Sequence, residues 1–195
     1  LDRARGHADR LGDAMMRAVA TFWLGEVARA AGDRDDAAAL YLEALAVIDV
    51  PDALGHYSRA HLGLAILADE AGDIAGARTH LVAATEAPAE TLSLQLPEML
   101  ATIAGIVAKH DPHVAALAWA SAQAIMAQTR TNPVIPHDAT RVGAIVDAVC
   151  IHLGDGAMAS PPTTNDAALP AIRQALDFLE APERMIAFLE SGALR

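Results

Sequence analysis

The feature that most constrains the fold of this chain is an internal repeat punctuated by glycine–aspartate pairs. When the sequence is aligned with itself so that Gly32 falls on Gly72, the other residues that meet identical residues include Leu24, Ala28, Asp33, Ala37 and Ala44. Glycine adopts the left-handed conformation that ends a helix, and aspartate caps the helix that follows. Each unit is therefore predicted to be two helices joined at a Gly-Asp turn. One such hairpin cannot bury its apolar face alone, so we expect the units to stack.

The composition favours helices along the whole chain. Alanine accounts for 46 of the 195 residues, whereas aromatic residues make up only 4%. Alanine has the highest helix propensity, and few β-branched or aromatic runs remain to build a sheet. Apolar residues recur at spacings of three and four, which is the period of an amphipathic helix. We predict an all-α fold with helices at about 2–11, 14–31, 34–49, 52–71, 74–87, 90–109, 112–130, 137–153, 167–180 and 182–190.

Weaker copies of the repeat follow the first two. In the third copy His110-Asp111 takes the place of Gly-Asp, and a degraded fourth copy reaches Gly154-Asp155. We predict three parts: residues 1–13 as the second helix of a truncated upstream repeat, 14–133 as three hairpins, and 134–195 as a degenerate repeat with C-terminal capping helices. Trp119 repeats the position of Tyr41, and both are expected to be core residues.

The repeats resemble the tetratricopeptide repeat (TPR). The residues that carry the resemblance are Trp23-Leu24-Gly25, Ala28, Gly32-Asp33, Ala37, Tyr41, Ala44-Leu45 and a following proline, with a second copy at Leu64-Ala65, Ala68, Gly72-Asp73, Ala77, Leu81, Ala84 and Pro88. The resemblance covers about residues 14–133 but departs from the family in its period, because successive turns lie farther apart than the roughly 34 residues of a TPR unit. It implies a TPR-like α-solenoid, a right-handed superhelix of stacked antiparallel hairpins.

Long, alanine-rich repeats of this kind resemble those at the C-terminal end of large bacterial transcriptional regulators, of the LuxR type and the SARP type. The basic residues are 13 arginines and one lysine, a bias that is usual in GC-rich bacterial genomes. The resemblance implies a signalling or interaction module that is part of a larger regulator. No helix-turn-helix motif follows the repeats, which favours a chain that ends in repeats.

Several function classes are disfavoured by charge and motif content. The formal charge of −11 opposes direct binding of nucleic acid, because an acidic surface repels phosphate. No apolar run approaches the length of a membrane span. We find no Gly-x-Ser-x-Gly elbow and no phosphate-binding glycine loop, so we predict no enzyme and no cofactor. The single cysteine, Cys150, is interpreted as a packing residue and fits a reducing, cytoplasmic location.

The histidines do not predict a metal site. Two imidazoles lie three positions apart in the segment His110-Asp111-Pro112-His113, and His137 lies beyond the next helix. Zinc requires three or four converging ligands, and Asp111 is better explained as a helix cap before a proline at the first helical position. His56 and His61 do not share a helix face, and His80 and His152 each stand alone in the sequence.

The first helix of each hairpin is expected to line a concave face, as the TPR resemblance implies. With Leu24 and Leu64 taken as equivalent, the inward positions are Val19, Phe22, Glu26, Arg29, Arg59, Leu62, Ile66 and Asp69. This mixture suits a peptide or helix with an apolar face and some charge. Of the adjacent Phe22 and Trp23, one is expected in the core and the other toward a groove or a neighbouring repeat.

We therefore predict a non-catalytic interaction or sensor module of a bacterial regulator. Its partner would be a peptide, a protein segment or another domain of its parent chain. The alternative is a helical domain that binds a small-molecule effector in a pocket between repeats. A structural role is the competing interpretation of the eight groove residues, because side chains at these positions also pack neighbouring repeats.

Overall fold

A computed structural model describes residues 1–48, 55–84, 89–109, 111–130 and 136–153, and every regular element within them is an α-helix. The helices are α1 (Asp2–Leu11), α2 (Ala14–Ala31), α3 (Arg34–Leu45), α4 (His56–Glu70), α5 (Ile74–Ala84), α6 (Ala89–Val107), α7 (Pro112–Thr129) and α8 (Pro136–Leu153). No strand occurs in the described ranges. The all-α prediction is confirmed for them, and the predicted helices at 167–180 and 182–190 lie outside them.

The helix ends follow the predicted punctuation. Gly32 and Gly72 adopt positive φ angles of 87° and 79°, the conformation that only glycine adopts without strain. Asp13 caps α2 by accepting a hydrogen bond from the backbone N–H of Met16 at 2.9 Å. Asp111 caps α7 in the same way, at 3.1 Å from the backbone nitrogen of Val114. The Gly-Asp turns at Gly12, Gly32 and Gly72 therefore separate the helices where the sequence predicts. Asp33 does not fulfil the predicted capping role, because it makes no side-chain cap hydrogen bond to α3. The predicted turn at Gly154-Asp155 lies outside the described residues.

Two predicted helix ends on either side of residue 50 are wrong. Helix α3 ends at Leu45 instead of residue 49. The β-branched residues that follow and the approaching Pro51 disfavour helical backbone there. Helix α4 was predicted from residue 52 but begins at His56, because Gly55 has a φ of 73° and interrupts any helix that would run through it.

The chain divides into two compact units, Leu1–Leu92 and Ser93–Arg195. In the first unit, α2 packs against α3 and α4 packs against α5, so each pair forms a hairpin across its short turn. Helix α1 packs on α2, and the first hairpin contacts the second through both α3 and α2. The division falls inside α6, within the segment predicted as the third hairpin.

Tyr41 lies at a close contact between the two hairpins of the first unit. A Cβ built on Gly25 of α2 would lie 2.9 Å from the Tyr41 ring, and one built on Gly63 of α4 would lie 2.6 Å from it. The small residues Ala37 and Ala44 flank Tyr41 along the inner side of α3, and all three are fully buried. The ring therefore fills the space between α2 and α4, as the small–large–small pattern predicts.

In the second unit, α8 packs closely against its neighbours. A Cβ on Gly143 of α8 would lie 3.5 Å from the Trp119 ring of α7, and one on Gly105 of α6 would lie 3.2 Å from Val142. Trp119 is buried, which confirms the prediction that it is a core residue like Tyr41.

Candidate functional site

Three polar side chains form a closed hydrogen-bonded cluster inside the first hairpin. The Tyr41 hydroxyl donates to Oε1 of Glu26 at 2.5 Å and accepts from Nε of Arg29 at 3.1 Å. The Arg29 guanidinium also donates to Oε2 of Glu26 at 2.7 Å. All three residues are buried. Because glutamate and arginine stand one turn apart on α2, the helix itself brings the opposite charges together.

The cluster is a brace that joins α2 to α3 through side-chain hydrogen bonds. Burial and the adjacent carboxylate of Glu26 raise the pKa of Tyr41 well above its usual value, so the hydroxyl stays protonated. Each charged group finds its partner inside the cluster, which is the condition for burying charge at tolerable cost. All three side chains are buried, so little of the cluster is open to solvent.

The structure buries most of the residues predicted to line a groove. Those buried are Phe22, Glu26, Arg29, Leu62, Ile66 and Asp69, whereas Val19 and Arg59 are half-buried. That these eight residues contact a partner remains a prediction. In this conformation the polar members Glu26 and Arg29 are engaged with Tyr41 and with each other. Only Val19 and Arg59 among the eight offer appreciable surface to solvent.

The helical phase of α2 explains this outcome. Phe22 is fully buried, with its ring centroid 5.1 Å from Trp23, 6.0 Å from Tyr41 and 5.6 Å from His56. Trp23 is the half-buried member of the adjacent aromatic pair. Phe22 is therefore the core member of the pair, and Trp23 is the member with side-chain surface left for a groove or a neighbouring repeat.

A partly exposed apolar row runs along the outer side of α2. Met16 and Val27 are 56% and 57% exposed, and Val19 and Trp23 between them are half-buried. The four residues follow one another at spacings of three, four and four, so they share one helix face. We refer to Met16, Val19, Trp23 and Val27 as the α2 stripe. Of the predicted groove, Val19 belongs to this stripe.

The second hairpin contains a pair of histidines that the sequence analysis did not connect. Nδ1 of His61 on α4 lies 3.1 Å from Nδ1 of His80 on α5. Tyr57, one turn before His61, packs edge-on against the His61 ring at a centroid distance of 4.6 Å. One histidine precedes the turn at Gly72 and the other follows it, so they face each other across the hairpin. The sequence signal for this pairing is that the two histidines lie on opposite sides of the turn at Gly72.

Burial acts on both rings of this histidine pair. Burial lowers the pKa of His61 to about 4, and the neighbouring His80 lowers it further. Burial also lowers the pKa of His80, whereas the carboxylate of Asp73 acts in the opposite direction. Both imidazoles are therefore neutral at pH 7, and each ring has one protonated and one unprotonated nitrogen.

The residues first considered for metal binding are only partly described. His113 is exposed at the start of α7. His110 lies outside the described residues, as do the side chains of His137 and Cys150 in α8. Within the described part of the chain, no three or more His, Cys, Asp or Glu side chains converge to hold a metal ion.

A small cavity lies at the turn between α1 and α2. It has a volume of about 160 Å³ and is lined by Ala8, Asp9, Gly12, Asp13, Ala14 and Arg17. The Arg17 guanidinium lies 3.8 Å from Asp9 and 3.2 Å from Glu43 of α3. Pockets for drug-sized ligands usually measure about 300–1,000 Å³, so this one is small for such a ligand.

Comparisons with known proteins give no assignment. No protein-family model matches the chain, and neither a curated protein nor a solved structure matches it. None of the described helices combines the length and apolar character needed to cross a membrane.

Proposed function

We propose that this chain is a non-catalytic protein-interaction module whose first unit holds an apolar segment of a partner on the α2 stripe. The observation that carries the proposal is the row of Met16, Val19, Trp23 and Val27, which leaves large apolar side chains in solvent on a helix otherwise fixed on its inner side. Exposed apolar side chains that form a continuous row are typical of protein-binding surfaces.

The chemistry of the stripe indicates the kind of partner. A row of apolar side chains along one helix suits a second amphipathic helix, which would insert its own residues at spacings of three and four. Trp23 is the anchor in this arrangement, because tryptophan is among the residues that most often dominate binding energy. The chain carries a formal charge of −11, so basic residues around the apolar face of the partner would speed association.

Two features of the first unit favour a protein over a small molecule as the partner. The cavity at the turn of α1 and α2 is small, and three of its six lining residues are charged, Asp9, Asp13 and Arg17. The polar groups in the interior of the first hairpin are engaged with one another, so they do not converge on an open space. A small-molecule site needs a concave pocket with polar groups aimed into it.

The likeness of the repeats to those of large bacterial regulators extends the proposal. The module would then hold a partner or another domain of a cytoplasmic transcriptional regulator, while chemistry and DNA binding are carried by other domains. The sequence of the full-length product tests this extension. A parent without an ATPase or DNA-binding domain would contradict it and would leave the binding proposal for the stripe intact.

Matched charge substitutions test the proposed function. Val27→Glu places a carboxylate on the stripe, and Leu42→Glu places one on the outer side of α3, where Leu42 is equally exposed at 56%. Both variants should keep the helical circular dichroism of the wild type. When the three proteins are used to capture partners from an extract of the source organism, Val27→Glu should lose at least one protein that the wild type and Leu42→Glu retain. Purified, that protein should bind Val27→Glu at least about tenfold more weakly. Equal binding to both variants would contradict the proposal.

A further inference from the structure

The facing histidines of the second hairpin point to a site that is independent of partner binding. His61 and His80 are half-buried on neighbouring helices, with their Nδ1 atoms 3.1 Å apart. In the free protein this distance is that of a hydrogen bond, in which one Nδ1–H donates to the other Nδ1.

Two imidazole nitrogens bound to one metal ion lie at a similar separation. A metal–nitrogen bond of about 2.0–2.1 Å combined with this separation corresponds to a nitrogen–metal–nitrogen angle of about 100°, between the octahedral and tetrahedral values. The ring planes are inclined by 32°, and an ion bound to both Nδ1 atoms requires each ring to turn about its Cβ–Cγ bond.

We propose that His61 and His80 form a two-histidine site for one borderline divalent cation such as Ni²⁺ or Zn²⁺. Solvent would complete the coordination, because no third ligand converges there among the described residues. Imidazole nitrogen is the ligand type that such ions prefer over Mg²⁺ or Ca²⁺. The carboxylate of Asp73, whose charge acts on His80, adds a negative potential that attracts a cation.

The surroundings of the pair favour binding in two further ways. Tyr57 packs against His61 and limits the orientations of its ring. The two ligands come from α4 and α5, so an ion bound to both would link the two helices of the hairpin. Such an ion binds the folded chain and not the unfolded one, and it should therefore raise the melting temperature with increasing concentration. Because solvent completes the shell, the ion would exchange readily, and a chelator would not unfold the protein.

Titration with Ni²⁺ tests the site on the full chain, prepared without a histidine tag. We expect calorimetry to show one saturable equivalent, a rising melting temperature, and no comparable response to Mg²⁺. His61→Gln and His80→Gln should each weaken binding by more than the roughly tenfold that loss of an outer-shell partner costs. The matched control His113→Gln removes an exposed histidine on α7 and should bind like the wild type.

A second measurement covers the case in which a variant fails to fold. In wild-type protein with ¹⁵N-labelled histidine, Zn²⁺ should shift the Nδ1 resonances of His61 and His80 and leave those of His113 unchanged. Loss of binding in His113→Gln but not in His61→Gln would overturn the proposal. So would unchanged Nδ1 resonances of the pair at saturating Zn²⁺.

Discussion

The two hairpins of the first unit share one packing pattern and differ in what it encloses. Both place a small–large–small row on the inner side of the second helix: Ala37, Tyr41 and Ala44 in α3, and Ala77, Leu81 and Ala84 in α5. All six residues are buried. Tyr41 brings a hydroxyl into the core and is joined there by Glu26 and Arg29, whereas Leu81 needs no polar partner. The repeat thus keeps the pattern of sizes, and the large residue determines the chemistry inside each hairpin.

The first helices of the two hairpins differ equally in their exposure. Ten of the fifteen residues of α4 are buried, against seven of the eighteen residues of α2. Helix α4 packs against α2, α3 and α5, so little of its surface is left for a partner. Helix α2 keeps an apolar face in solvent, which places the proposed binding surface on the first hairpin and not on the second.

The largest expected effect comes from opening the buried polar cluster of the first hairpin. Glu26→Ala removes the buried carboxylate that accepts hydrogen bonds from Arg29 and Tyr41, and we expect the free energy of unfolding to fall by about 3–5 kcal/mol. Glu43→Ala removes a carboxylate that pairs with Arg17 at the surface and should cost about 0–1 kcal/mol. Urea denaturation of both variants measures the difference. Similar losses would show that the cluster does not brace the hairpin.

An intermediate effect tests whether the two small–large–small rows are equivalent. Ala37→Leu and Ala77→Leu both insert a large side chain at a fully buried position and should each destabilise the protein by about 1–3 kcal/mol. Ala39→Leu on the exposed side of α3 should stay within about 0.5 kcal/mol of the wild type. If either buried variant proves neutral in thermal or urea unfolding, the corresponding row does not mark a close helix contact.

The smallest effect distinguishes the second hairpin by its response to pH. The pKa of His61 is about 4 in the folded chain, below its ordinary value of 6.5, so the unfolded chain binds more protons between these values. Stability should therefore be unaffected above pH 6.5 and fall as the pH decreases toward 4, with a contribution from His61 on the order of 1 kcal/mol. His80 lowers the pKa of His61, and the carboxylate of Asp73 raises the pKa of His80.

Urea titrations from pH 7.5 to 4.5 compare the wild type with His61→Gln and the exposed control His113→Gln. The His61→Gln variant should lose less stability in acid than the other two proteins. Three parallel pH profiles would show that the histidine pair does not titrate with folding.

Much of the fold follows from residues that end helices. Gly12, Gly32 and Gly72 stop helices at positive φ, and the bounds of α1 and α2 agree with the predicted ones. The two errors have different causes. Helix α3 stops without a glycine. Gly55 delays the start of α4 through its positive φ, which the sequence does not reveal because an isolated glycine is also tolerated inside a helix.

The candidate sites were harder to predict because they depend on which face of a helix is buried and on how two neighbouring helices are aligned along their length. Phe22 and Trp23 are adjacent aromatic residues, and only packing against Tyr41 and His56 determines which one is buried. The pairing of His61 with His80 requires the register of two antiparallel helices, which the period within a single helix does not contain. The burial of Glu26 and Arg29 follows from the same phase as that of Phe22.

Site-specific photo-crosslinking tests the central claim, that the α2 stripe holds a partner protein, most directly. A photoreactive amino acid is placed at position 27 on the stripe or at the equally exposed position 42 on α3, and the full chain is irradiated in cells of the source organism. The proposal predicts a discrete crosslinked protein from position 27 that is absent from position 42. No crosslinked protein at position 27, or the same products from both positions, would contradict it.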